Sequence, residues 1–311
     1  MTAASDEAVP AQEPNHGARL LTMWLLLSAS CDPLFWFLAG PHIPPGRMSS
    51  SAATQQTDFN VLAMLAIPVV IGVLLYFGYA LTYWRAKDDD DTDGPPIHGN
   101  AKIQVTWISV TAALVLFLAV FGSVELVTQQ GAGAGQGPAP IWKPGSSNLL
   151  EVQVIGQQWA WTFRYPQFGG FETTDLVLPE GQPIQFDVTS LDVIHSFWAY
   201  QLGVKADANP GVNNVAYTTA KQLGQVTVRC SELCGLWHGA MYDYGKVVTP
   251  AGFQSWAQQS EVQLASITKM LPPFALTYDP TNVPVLNEVL IKLGLTSAGG
   301  GYYNPNDLEQ P

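Results

Sequence analysis

The chain has 311 residues, with 13 Lys+Arg against 25 Asp+Glu and only 12% charged side chains, about half the usual share for a soluble domain. That deficit predicts lipid contact, yet a mean hydropathy of +0.12 is too low for a membrane bundle throughout, so part of the chain folds in water. A net charge of −12 excludes nucleic acid as a partner, because phosphate binding rests on Lys and Arg.

The first apolar stretch, residues 20–30, is 11 residues long and stops at Cys31-Asp32-Pro33. It is too short for a span and about right for a signal-peptide core behind Arg19. Ser28-Ala29-Ser30-Cys31 loosely resembles a bacterial lipoprotein cleavage site, although Asp6, Glu7 and Glu13 precede it. The other reading is a retained segment, 24–38, lying along the membrane surface. Residues 1–57 are therefore an N-terminal segment of signal-like or lipoprotein-like character.

Residues 60–84 and 103–124 are runs of 25 and 22 residues without a charged side chain, each long enough to cross a hydrocarbon core of about 30 Å. Asp58 precedes the first, Tyr83, Trp84, Arg85 and Lys87 close it, Lys102 and Trp107 open the second, and Glu125 ends it. Pro68 is positioned to kink the first helix. The acids Asp88, Asp89, Asp90, Asp91 and Asp93 require a water-exposed loop between the spans. A transmembrane helical hairpin over 58–128 follows. Arg85, Lys87 and Lys102 place its loop in the cytoplasm and everything after Glu125 outside the plasma membrane.

Gly131 to Gly137, followed by Pro138-Ala139-Pro140, reads as a Gly/Pro linker over 129–141. Beyond it, period-two runs at 151–154, 159–165, 184–190, 215–219, 225–230 and 246–248, separated by turn-rich segments, predict a Greek-key β-sandwich over 142–255. Val152 and Val154 are one residue out of phase with Trp159, Trp161, Phe163 and Tyr165, which suggests a bulge at Gly156. A short helix near 253–270 leads into a C-terminal extension, 256–311, that carries no functional signal.

The chemistry concentrates in Cys230-Ser231-Glu232-Leu233-Cys234-Gly235-Leu236-Trp237-His238-Gly239-Ala240-Met241: two thiols, an imidazole and a thioether within 12 residues. Soft sulfur with imidazole suits copper. Two thiolates can bridge two metal ions and spread one electron over both, which favours electron transfer. A disulfide, a zinc pair and two buried thiols remain alternatives, although no second Cys pair is present for a zinc ribbon. The histidines are His16, His42, His98, His195 and His238, and only His195 shares the β region with His238. Trp159 and Trp161 are either functional or simple packing residues.

The copper-type loop, with Asp192-Val193-Ile194-His195-Ser196, Lys205-Ala206-Asp207, Pro210-Gly211 and Gly156-Gln157-Gln158-Trp159-Ala160-Trp161, resembles subunit II of the haem–copper oxidases in its cytochrome c oxidase form. The likeness covers about 58–250. It implies a cupredoxin domain with a dinuclear copper A centre held by the side chains of His195, Cys230, Cys234, His238 and Met241 and by the backbone carbonyl of Glu232. It further implies that the Glu232 carboxylate faces a magnesium or manganese ion shared with subunit I, and that Trp159 takes in electrons from cytochrome c. The domain after Gly131 carries 14 acids and 8 bases, a net of −6, which suits steering of a basic donor. Two positions depart from the family pattern. Gln104 stands where many relatives place an acid near a proton channel of subunit I, and Val212 stands where an arginine often follows Pro-Gly.

The expected protein is therefore a two-helix membrane anchor with an extracytoplasmic cupredoxin domain, passing electrons from cytochrome c to haem in subunit I, in company with the other oxidase subunits and the lipid bilayer. Oxygen reduction to water, coupled to proton translocation, belongs to subunit I. The alternatives are the copper A subunit of a nitric oxide reductase or quinol-linked oxidase, and a copper-delivery module.

Overall fold

The computed structural model describes residues 15–85, 96, 98–271 and 274. Asp6, Glu7, Glu13, Lys87, the acidic run between the expected spans and the tail beyond 274 lie outside the described residues. The chain forms two compact units, one of Met1–Ile43 with Thr57–Asn100 and the other of Pro44–Gln56 with Ala101–Pro311.

Among the described residues, three helical stretches, not the expected two, are long and apolar enough to cross a membrane: His16–His42, Ser50–Thr82 and Ala101–Thr128. The first contains α1 (His16–Leu34), continued by a π turn over Phe35–Ala39 and a 3₁₀ turn over Gly40–His42. Sequence reasoning stopped this element at Asp32-Pro33, because proline lacks the N–H a helix needs. The helix runs through Pro33 instead, with Phe35 N–H bonded to the carbonyls of Cys31 and Asp32, and is continued by the π turn, which Gly40 N–H closes on Phe35 O. The next helix, α2 (Ser50–Thr82), contains Pro68 without interruption, and α3 (Ala101–Thr128) has no buried residue.

The second unit is built on two five-stranded sheets. One has the order β3-β2-β1-β5-β8 and the other β4-β10-β9-β6-β7. In chain order the strands are β1 (Leu150–Gln157), β2 (Ala160–Tyr165), β3 (Phe171–Thr173), β4 (Val177–Pro179), β5 (Pro183–Ser190), β6 (His195–Ala199), β7 (Val204–Ala208), β8 (Asn214–Thr219), β9 (Gly224–Cys230) and β10 (Tyr242–Val248). β1 pairs in parallel with β5, and β4 with β10, while the other ladders are antiparallel. This is the cupredoxin sandwich. Its inner faces meet through Phe197, whose ring lies 5.7 Å from Trp161, 6.4 Å from Phe163 and 5.2 Å from Phe186.

The predicted bulge at Gly156 is absent. Gln157 pairs with Ala160 and Gly156 with Trp161 in an unbroken ladder. The two-residue turn Gln158-Trp159 makes partner numbers sum to an odd value, so even residues of β1 share a face with odd residues of β2. Val152, Val154, Trp161 and Phe163 are accordingly all buried. The small size of Gly156 serves another purpose: a Cβ there would stand 3.0 Å from the Trp161 ring and 3.2 Å from His195 Cδ2.

The expected linker is partly edge structure. Gly133 and Gly135 donate to Tyr217 O and Lys205 O, and Gln136 donates to Val215 O, so this glycine-rich run lies along β7 and β8. The start of α2 is tied to the same unit. Ser49 and Ser51 hydroxyls donate to Leu202 O at 2.6 and 3.2 Å, and Gly203, at φ +63°, lets the backbone of Ala52 approach where a Cβ would stand 2.5 Å from Ala52 N. The helix expected near 253–270 is α4 (Pro250–Thr268), capped by Thr249, which accepts from Gly252 N–H. Phe253 and Ala257, one turn apart, are its buried residues, and Trp256 meets Tyr165 and Phe171 edge-on.

Candidate metal centre

Two strands and one loop assemble the site. β6 opens with His195 and β9 ends with Cys230, and the loop 231–241 leads into β10. The loop is pinned at its base by Cys230 N–H donating to Met241 O and Ser231 N–H donating to Ser196 O, each at 3.0 Å. A 3₁₀ turn over His238–Ala240 closes its far end. Gly235 adopts φ +114°, where a Cβ would press on Gln158 Nε2 at 3.0 Å.

The structure brings the predicted donors together. Cys230 Sγ and Cys234 Sγ are 3.7 Å apart, far beyond the roughly 2.05 Å of a disulfide, and both are free thiols. His195 Nδ1 lies 3.7 Å from Cys230 Sγ, and His238 Nδ1 lies 3.5 Å from Cys234 Sγ. The Glu232 carbonyl accepts from the Cys230 thiol at 3.2 Å, and Met241 Sδ stands 3.8 Å from Cys234 Sγ. Among the described residues, the ligand atoms of His195, Cys230 and Cys234 all fall within 4.8 Å of one another. His195 and Met241 are 0% and 1% exposed, so water is kept from the inner side. The Glu232 side chain is exposed, whereas its carbonyl points inward. His16, by contrast, bonds to Tyr79 OH and belongs to α1.

Asp192, named from the sequence as part of the motif that carries the resemblance, orients the buried imidazole. Its Oδ1 accepts from His195 Nε2 at 2.8 Å. A carboxylate can only accept, so Nε2 carries the hydrogen and Nδ1 faces the sulfurs. Asp192 is itself fixed by N–H bonds from Gln158 and Val193, both at 2.7 Å. The signal that could have found this role is the Asp-x-x-His spacing ahead of a strand.

The electrostatics follow from these contacts. Burial disfavours charge on His195, but the bond to Asp192 and the neighbouring Cys230 sulfur outweigh it and raise the imidazole to about 9. Burial likewise works against the Asp192 carboxylate, yet the His195 bond and the two N–H groups hold it below the usual range. Burial pushes the Cys234 thiol up, with the adjacent Cys230 adding to it. For Cys230, hydrogen bonds from His195 and from backbone N–H groups overcome burial and pull the thiol down.

Trp159 sits in the β1–β2 turn, partly buried, and its Nε1–H donates to Cys234 O at 3.2 Å. Gln158 Nε2 donates to the same oxygen at 2.8 Å. Trp161 is a core residue, 2% exposed, meeting His195 and Phe197 edge-on.

Fold and site together define a class, membrane-anchored cupredoxins with a buried cluster of soft donor side chains that could hold a metal. Residues 171–247 match the family model described as "Cytochrome C oxidase subunit II, periplasmic domain", and residues 46–126 match the corresponding transmembrane domain. A probable cytochrome c oxidase subunit 2 from Rickettsia prowazekii is 34% identical over 261 residues, spanning 76% of this chain and 77% of that one. The cytochrome c oxidase subunit 2 of Synechocystis is 29% identical over 280 residues, spanning 79% and 84%. The crystal structure of the periplasmic domain of subunit II of cytochrome oxidase from Bradyrhizobium japonicum covers 37% of this chain and 94% of that one at 33% identity, with a TM-score of 0.36. The chain belongs to the cytochrome c oxidase subunit II family: a membrane protein with a periplasmic domain, whose relatives are subunits of an oxidoreductase complex.

Proposed function

We propose that this chain is the electron-receiving subunit of a respiratory cytochrome c oxidase, holding a dinuclear copper centre, taking electrons singly from cytochrome c and passing them to haem in subunit I. There, oxygen is reduced to water with coupled proton translocation. The observation that carries this reading is the duplication of donors. Each sulfur of the 3.7 Å pair has its own imidazole nitrogen, at 3.7 and 3.5 Å, and its own weak donor, Glu232 O at 3.2 Å or Met241 Sδ at 3.8 Å. A single four-coordinate ion would leave two of these six donors unused, and the sulfur–imidazole chemistry fits copper rather than a hard cation. His195, Cys230, Glu232, Cys234, His238 and Met241 would hold a copper pair, which would supply a one-electron site there.

The chain's own residues do the positioning. β6 and β9 hold His195 and Cys230 on facing strands, the pinned loop sets Cys234, His238 and Met241, and Asp192 locks the His195 tautomer. Trp159 is the electron-intake residue in this reading, since its indole is hydrogen-bonded to the carbonyl of a sulfur-bearing residue. The exposed Glu232 carboxylate suits a magnesium or manganese ion shared with subunit I, and the net negative charge suits a basic donor. α2 and α3 anchor the domain as a hairpin over 58–128, with their connection in the cytoplasm.

Metal analysis and visible/near-infrared spectroscopy of protein purified from membranes test the reading. Two coppers per chain with a mixed-valence spectrum are expected, and Cys230→Ser should abolish that spectrum. Zinc in the site, one labile Cu(I), or a Cys230→Ser variant that keeps both coppers and the spectrum would overturn it.

A further inference from the structure

The first helix lies outside both family matches, the earlier of which begins at residue 46, and the proposed function does not use it. Its 27 helical residues extend about 40 Å at 1.5 Å per residue, more than a hydrocarbon core of about 30 Å. The side chains it turns outward include Leu21, Leu25, Leu26, Leu34 and Phe37, exposed by 52–74%. The exposed hydroxyls of Thr22 and Ser30 are satisfied by the helix's own carbonyls, Ala18 O and Leu26 O, and one polar stripe faces inward. Trp24, Ser28 and Asp32 follow one another at four-residue spacing and so form one stripe. The Trp24 indole donates to Pro68 O of α2 at 2.7 Å, and Ser28 Oγ and Asp32 Oδ1 are both sealed from the surroundings. This arrangement inverts that of a water-soluble helix. It also differs from a helix lying in the interface plane, which would keep its polar face outward. It is the pattern of a helix surrounded by lipid, with small and polar residues turned to its neighbour.

The contacts run the whole length of the pair in antiparallel order. His16 Nδ1 meets Tyr79 OH at 2.7 Å, Trp24 meets Pro68, and Gly40 lies so close to Asn60 that a Cβ would stand 2.8 Å from its Oδ1. At the His16 end, Arg19 lies over the Tyr83 ring at 5.2 Å and His16 meets Trp84 edge-on, an aromatic and cationic group of the kind that marks a membrane interface.

We infer that residues His16–His42 are a retained third membrane span, antiparallel to α2, and neither a cleaved leader nor a surface-lying segment. α2 begins on the periplasmic side, where Ser49 and Ser51 are bonded to Leu202 of the periplasmic domain. An antiparallel α1 therefore rises from the cytoplasm, and the residues before His16 are cytoplasmic. Cys31 lies within the helix and is not a lipidated N-terminus.

Two measurements, one on the intact complex purified from its native membrane and one on sealed vesicles of that membrane, test this. Mass spectrometry of the chain should recover the whole of residues 16–42, with no added lipid mass on Cys31. A Ser5→Cys variant, compared with its parent, should gain labelling by a membrane-impermeant maleimide only in inside-out vesicles. A mature chain beginning at Cys31 or later, a lipid-modified Cys31, or labelling of Ser5→Cys from the periplasmic face would each overturn the inference. None of these results bears on the copper spectrum, so the two readings fail separately.

Discussion

The β-sandwich and the helices apply opposite rules to the same residue types. In the sandwich Phe163, Phe186 and Phe197 are fully buried, whereas Val73, Phe77, Ile103 and Val115 on the helices are more than 60% exposed. Water drives the first arrangement through the hydrophobic effect. In lipid that drive vanishes, and helices adhere through close packing and polar contacts such as Trp24 to Pro68. The metal centre lies on the water-driven side of this divide. Its donors are held by strand ends and backbone hydrogen bonds, and a rigid aromatic core lies directly beneath His195.

The sharpest way to break this comparison is to cut a large hole in the sandwich. Phe197 touches three aromatic rings and stands two residues from His195. Phe197→Ala should cost about 3–5 kcal/mol, read as a lowered denaturation midpoint of the purified protein, together with weakened metal retention. A loss under about 1 kcal/mol would mean the core does not support the site.

A second, smaller effect concerns the Asp192–His195 pair. In the metal-free chain His195 binds its proton more tightly when folded, at about 9 against the ordinary 6.5 of a histidine. The stability this proton contributes is therefore complete below about pH 6.5 and is lost as pH rises through about 9. Copper uptake must run the other way, because Nδ1 has to give up a proton. Affinity should rise at least about tenfold per pH unit up to about pH 9, with proton release. A charge-assisted hydrogen bond is worth about 1.5–3 kcal/mol, so Asp192→Asn should move that rise down by about 1–2 pH units. Competition titrations from pH 6 to 9 measure it, and an unchanged profile would deny Asp192 its orienting role.

Trp159→Phe removes one hydrogen bond to Cys234 O and keeps an aromatic ring in the turn. Copper content and spectrum should remain, while oxidation of cytochrome c slows about tenfold, equivalent to about 1.4 kcal/mol of barrier. Loss of copper along with activity would make Trp159 a packing residue of the loop instead.

What sequence could show divides along the same line. The copper-type loop was legible because its donors lie close together in sequence, and His195 because no other histidine shares the β region with His238. Of the strands, β3, β4, β6 and β7 were missed: β3 and β4 are only three residues each, β6 is buried on both faces, so it shows no alternation, and β7 is only five residues long. The Gly156 bulge was a wrong inference from phase, since a two-residue turn changes parity without an inserted residue. α1 escaped because Asp32-Pro33 looks like a stop in one dimension. The continuation through a π turn and the partner helix, which Trp24 reaches 44 residues away at Pro68, exist only in three dimensions. Asp192 was visible as an acid, but its partner depends on the bend between β5 and β6.

The smallest expected effect tests the lipid side of the divide. Phe77, 62% exposed on α2, has the same ring as Phe197 and none of its enclosure. In detergent or lipid its transfer out of the protein surface changes little, since hydrocarbon surrounds the site before and after truncation. Phe77→Ala should shift the denaturation midpoint by no more than about 0.5 kcal/mol, the usual range for exposed positions, and leave the copper spectrum untouched. If stability holds but the complex purifies without its neighbours, the outward face of α2 is a docking surface for another subunit. A loss as large as that of Phe197→Ala would show that this face is packed within the chain, and the contrast between the two regions would fail.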